Sequence, residues 1–254
     1  MNVRMRLAIS GLFMLSFSQL SQAACSDVDR PTFVAAAKAA VLATNNIEDV
    51  IAYGLGLPMW LTMVDGTGRV CHVYATDGTN DVGGANAGNS AWLGSRIISA
   101  QKANTANAFS LDGLSIATGA IYVAVVPGGS LYGLQHSNPV DASKAYGGSP
   151  NSYGKNSDFL KNKRIGGVNV FGGGVALYKA GVKVGAVGAS GDTSCRDHAV
   201  AYSLRRNLTL NEFTAPGGIA VDVLTLVATP AALGQHPICG VNDPTTAANV
   251  GIVF

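Results

Sequence analysis

The stretch Leu57-Pro58-Met59-Trp60-Leu61-Thr62-Met63-Val64-Asp65-Gly66-Thr67-Gly68-Arg69-Val70-Cys71-His72-Val73-Tyr74-Ala75-Thr76 decides the fold class. An apolar run to Val64 meets a polar, glycine-bearing turn at Asp65 to Gly68, and a second β-favouring run follows from Arg69. Two such runs across a tight turn form an antiparallel hairpin. Because side chains alternate across a strand, Val70, His72, Tyr74 and Thr76 are expected on one face. Arg69, Cys71, Val73 and Ala75 are expected on the other.

Upstream, Asp29-Arg30-Pro31 reads as a capped helix start with proline in the first turn, and the Ala-rich run continues to about Thr44. Downstream, a Gly/Asn-rich loop over 78–89 leads to Asn89 or Ser90 as cap of a helix reaching about Asn107, with Leu93, Ile97, Ala100 and Ala103 on one face. A further helix is expected from Asp112 to Val126, against the β-branched run Ile121, Val123, Val125 and Val126, and Pro127-Gly128-Gly129 ends it. Residues 128–164 read as a long ordered loop. Strands follow at Gly167–Phe171, Val175–Tyr178 and Val182–Ser190, the last two joined by a turn at Lys179-Ala180-Gly181. Ser194 can cap a helix to about Asn207. Hairpin-linked strands with separate helices argue an α+β domain with an antiparallel sheet.

At 254 residues, 48% hydrophobic and 13% charged, the chain is too apolar for a disordered segment and long enough to bury a sizeable core. Arg4 and Arg6 precede an apolar run from Leu7 to Phe17 and the small residues Ser21-Gln22-Ala23-Ala24. That is the three-part pattern of a secretory signal peptide over residues 1–23, ahead of a single domain over 24–254, and it predicts a periplasmic or secreted protein. Gln22 stands where a lipid-anchor motif before Cys25 needs a large aliphatic residue. Without the leader, basic and acidic residues balance, so no uncompensated basic patch points to nucleic acid. No later apolar run is long enough for a membrane span.

Four blocks then carry a resemblance: Val64-Asp65-Gly66-Thr67-Gly68-Arg69-Val70, Lys102 to Phe109, Gly172 to Leu177, and Val184 to Gly191 with Asp197 following. In this order they resemble the GlcG/HbpS family of haem-binding or haem-degrading domains, over about residues 33–207. The resemblance implies a profilin-like antiparallel sheet of about five strands with helices on both faces, and a haem or other small-molecule ligand. It also implies a homo-oligomer, since family members commonly assemble. Minimal members lack the inserted loop 128–164 and the C-terminal tail 208–254, and no family motif names the iron ligand.

Four cysteines in a secreted chain most simply form two disulfides, with three pairings open. Cys195 with Cys239 would tie the tail to the core, and Cys25 with Cys71 the N-terminus. The alternative is a Cys2His2 zinc site from Cys195-x-x-His198 and His236-x-x-Cys239, which an oxidising compartment disfavours. For a haem iron the imidazoles are His72, His136, His198 and His236. His136 comes first because Leu131, Tyr132 and Leu134 surround it in the loop. His198 is expected partly exposed on its helix, and His72 faces a pocket or solvent. Lys102 is a candidate for pairing with a haem propionate, the competing reading being an exposed helix lysine, and Arg96 lies six residues before it on the same helix. Asp65, Asp77 and Asp192 read as turn residues. Gly188-Ala189-Ser190-Gly191-Asp192 lacks the second glycine of a nucleophile elbow. The expected functions are therefore an extracytoplasmic haem binder, then an enzyme using the same pocket with His136 or His198 as acid/base, then an interaction module presenting the loop.

Overall fold

The hairpin forms as expected, Trp60–Asp65 pairing antiparallel with Val70–Ala75, and it carries one irregularity that places a cysteine. Met63 faces His72 while Val64 faces Val70, so Cys71 is an extra residue on its strand. The alternation holds from His72 onward and inverts before it: Val70 joins Val73 and Ala75 in one core, and Cys71 joins Tyr74 in the other. Asp65 locks the turn, its Oδ1 accepting from the Thr67 amide at 2.9 Å and the Arg69 amide at 3.1 Å.

The structure is a computed structural model and describes residues 23–45, 54–76, 91–214 and 217–239. All but the last residue of the signal peptide expected over 1–23, the Gly/Asn-rich loop with its Asn89/Ser90 cap, Asp77 and the last fifteen residues lie outside the described residues. In chain order the elements are α1 (Ala23–Asp27), α2 (Arg30–Asn45), β1 (Trp60–Asp65), β2 (Val70–Ala75), α3 (Ser95–Phe109), β3 (Leu114–Ile116), α4 (Tyr122–Val125), α5 (Leu134–Ser137), α6 (Ala142–Ala145), β4 (Gly174–Lys179), β5 (Val182–Ser190), α7 (Ser194–Asn207), β6 (Ile219–Val221), β7 (Thr225–Val227) and β8 (Gln235–Pro237).

The main sheet is antiparallel in the order β2-β1-β5-β4. Among the described residues it has four strands where about five were implied, because Gly167–Phe171 is not a strand; in that stretch only the preceding Gly166 makes an isolated bridge, to Val140. Helices cover both faces. On one, Phe33 and Ala37 of α2 and Val200 and Leu204 of α7 pack on Leu61, Met63, Val175 and Val187. On the other, Ile97, Ala100 and Ala103 of α3 pack on Trp60, Val64, Val73 and Ala186, with Leu160 and Ile165 sealing the far side. This is the α+β architecture that the hairpins require.

The helix expected over 112–126 is instead strand β3, a 3-10 turn at Thr118–Ile121 and the single turn α4. One cause is visible: the tail supplies β6, which pairs in parallel with β3 from Leu114↔Ile219 to Ile116↔Val221. Residue Thr193, one before the expected Ser194, caps α7 by accepting from the Arg196 amide.

Candidate functional site

The cysteines pair as Cys25–Cys71 and Cys195–Cys239. The first uses the bulge that turns Cys71 toward α1, and the second joins α7 to the end of the tail. Cys195, Cys239 and His236 offer ligand atoms within 4.8 Å of one another. Both sulfurs are bonded to each other, however, and His198 is not in that group, so the four-ligand zinc arrangement is not assembled.

The four imidazoles go to four different environments. His198 is fully buried rather than partly exposed, with neither ring nitrogen hydrogen-bonded among the described residues. Burial, with Arg205 nearby, pushes its pKa down to about 3. His72 is buried against Phe33, with Nε2 2.8 Å from the Val28 carbonyl. Burial lowers its pKa also. His236 lies between the Ser194 hydroxyl, 2.9 Å from Nε2, and the Pro237 carbonyl, 2.7 Å from Nδ1. Only His136 is exposed, on α5, and its ring has no hydrogen-bond partner among the described residues.

Lys102 is neither an exposed helix residue nor open to a ligand carboxylate. It is buried, and its ammonium donates to Asp197 Oδ2 at 2.6 Å and to the Ala189 carbonyl at 3.1 Å. Arg96 is buried as well, donating from Nε to Asp158 Oδ2 at 3.0 Å, with its guanidinium 3.7 Å from the Tyr153 ring centroid. Asp158 belongs to the long segment after α4, so this contact fastens that segment onto α3. The structure therefore does not bring Arg96, Lys102, His72, His136 and His198 into one site.

It does form a cleft that sequence reading missed. Ile116, Ile121, Val123, Val126 and Leu131 make one wall and Ala231 to Leu233 the other of an open cleft of about 710 Å3. That volume falls within the range of about 300–1,000 Å3 typical of small-molecule sites. Its second wall comes from the tail, which no local pattern in the first wall announces. A smaller cavity of about 340 Å3 lies beside Cys25, Arg69, His72 and Lys161.

A family model described as haem degrading protein HbpS-like matches residues 32–204. The chain belongs to the HbpS-like family. Solved structures similar to it include Klebsiella pneumoniae protein ORFY, at 21% identity over 74% of this chain and 91% of that one, TM-score 0.45. A PduOC:heme complex matches at 19% identity over 72% of this chain and 94% of that one, TM-score 0.46. A double mutant of Streptomyces reticuli HbpS matches at 16% identity over 81% and 97%, TM-score 0.41. Among curated proteins none matches. Among the described residues no helix is long and apolar enough to cross a membrane.

Among the described residues, no basic side chain lines the cleft of this HbpS-like chain. α5, which carries His136, begins three residues beyond the wall residue Leu131, and the Leu134 amide donates back to the Leu131 carbonyl at 3.0 Å. Tyr132, also exposed, lies between them.

Proposed function

We propose that this HbpS-like chain is an extracytoplasmic haem-binding protein that lodges the porphyrin in the apolar cleft and ligates its iron through His136. The cleft carries the reading: it is roomy, apolar, and followed, five residues after its wall residue Leu131, by the one exposed imidazole whose ring is unpartnered among the described residues. Haem would supply an iron that accepts an imidazole nitrogen. The chain's part is to exclude water from the macrocycle faces with Ile121, Val123, Leu131 and Leu233, and to present His136.

His198 and Lys102 do not serve the enzyme reading, since one is sealed and the other is bound to Asp197. The two disulfides support an oxidising compartment. The test is a hemin titration of the leaderless protein, followed by absorbance, on the wild type, His136→Ala and Leu233→Asp. A saturable one-to-one spectrum is expected, altered by His136→Ala and weakened by Leu233→Asp. Absence of saturation beyond a control protein would overturn it. A thiol assay on protein exported by its own leader is expected to find no free cysteine.

A further inference from the structure

The tail brings one more pair of side chains together, Ser194 at the first turn of α7 and His236 on β8. Hydrogen-bond polarity in this pair follows from its surroundings. The Pro237 carbonyl can only accept, so at 2.7 Å His236 Nδ1 must carry the proton, and Nε2 is then a bare acceptor. Ser194 Oγ, 2.9 Å away, must donate to it. The Gly172 amide donates to the same Oγ at 2.6 Å. This is the arrangement of an activated nucleophile: hydroxyl, bare imidazole nitrogen, and a third group that holds the tautomer.

Three further features serve such a pair. Cys195 follows Ser194 and Cys239 lies three residues past His236, so their disulfide holds the two elements together. Ser194 is half-buried, and a side chain at position 172 would bring a Cβ within 2.8 Å of Oγ, so glycine there leaves room beside the hydroxyl. The Tyr122 ring, tilted against the His236 ring with centroids 5.5 Å apart, sets an apolar surface beside the pair.

We infer that Ser194 and His236 form a nucleophile–base dyad that cleaves esters of small apolar acyl groups, the acyl group packing beside the Tyr122 ring. Ser194 Oγ attacks the acyl carbon as its proton passes to His236 Nε2. The alcohol leaves with that proton, giving an acyl-serine. A water then gives its proton to Nε2 and its oxygen to the acyl carbon, and Ser194 regains the proton as the acid departs. Ester and water are consumed, acid and alcohol are formed, and no other reactant is needed. The inference does not depend on haem.

The test uses the full leaderless chain and an alkyl fluorophosphonate, which loses fluoride to an activated serine. Peptide mapping by mass spectrometry is expected to find the adduct on Ser194 alone. His236→Gln is expected to label about 100-fold more slowly, the low end of what a positioned base contributes. Its circular dichroism and Cys195–Cys239 bond should be unchanged. Hydrolysis of p-nitrophenyl butyrate should vanish in Ser194→Ala. Wild-type labelling no faster than in urea-unfolded protein, or spread over several hydroxyls, would overturn the dyad, and this readout stands even if His236→Gln fails to fold. Hemin titration of the same samples reads the other proposal separately.

Discussion

The Lys102 ammonium and the Asp197 carboxylate meet at 2.6 Å with side chains only 1% and 4% exposed. Burial is the largest influence on each, pushing Asp197 up to about 6 and Lys102 down, so this interior resists both charges and their contact offsets the cost. Asp197 Oδ1 also accepts from the Asp192 amide at 3.0 Å, which ties the start of α7 to the end of β5. Asp197→Asn strands a buried ammonium and is expected to cost about 3–5 kcal/mol. Lys102→Met with Asp197→Leu removes both charges and should cost clearly less. Urea unfolding of the two variants checks it; equal losses would show that the charges themselves stabilise the fold.

Arg96 and Asp158 hold a different boundary, that between α3 and the segment after α4. Asp158 also accepts from the Gly154 amide at 2.7 Å and the Leu160 amide at 2.9 Å, so one carboxylate organises its own turn and receives the guanidinium. Asp158→Ala leaves Arg96 buried without its carboxylate and is expected to cost about 3 kcal/mol or more. Limited proteolysis of this variant should cut first near residues 146–160, with the sheet still intact by circular dichroism. Cutting elsewhere first would mean that the segment is held by its apolar contacts, Leu160 among them.

What could be read from sequence divides along range of interaction. The Asp65–Arg69 turn, helix α2 and the 182–190 strand are set by neighbours a few residues apart, and they form as expected. Residues 112–126 went wrong because β3 is completed by a strand about a hundred residues later. The same limit hid the candidate sites. Lys102 reads as a helix lysine until Asp197 is folded against it, and Ser194 has no significance until the tail delivers His236. Cysteine counting did reach across the chain, because disulfide chemistry restricts four residues to three pairings.

His198 makes stability depend on pH in a known direction. Its folded pKa of about 3 lies below the ordinary histidine value of 6.5, so the unfolded chain binds the extra proton between those values. The contribution is therefore complete above about 6.5 and is lost as pH falls toward 3. At about 1.4 kcal/mol per pH unit it amounts to on the order of 5 kcal/mol. His198→Phe should flatten that part of the profile, which urea titrations at pH 7, 5 and 4 would reveal as a narrowing gap or a crossover. Parallel profiles would mean that the ring charges without penalty in the fold.

Gly188 sets how closely α3 approaches the sheet. A Cβ there would lie 2.0 Å from the Ser99 carbonyl oxygen and 2.6 Å from the Ala103 amide nitrogen, both backbone atoms that no rotamer change can move. Close approach also brings Thr62 of β1 and Ser99 of α3 within 2.8 Å, hydroxyl to hydroxyl, in the buried layer. Gly188→Ala must push the helix off β5 and is expected to cost about 2–3 kcal/mol through overpacking. Gly94 is the opposite case. It precedes α3 with ordinary helical angles, φ −59° and ψ −29°, and a Cβ there meets nothing within 4 Å. Gly94→Ala should stabilise by about 0.4–1 kcal/mol, because alanine restricts the unfolded chain more than glycine does. Thermal melts of the two variants should therefore shift in opposite directions, and a tolerated Gly188→Ala would refute the close packing of α3 on β5.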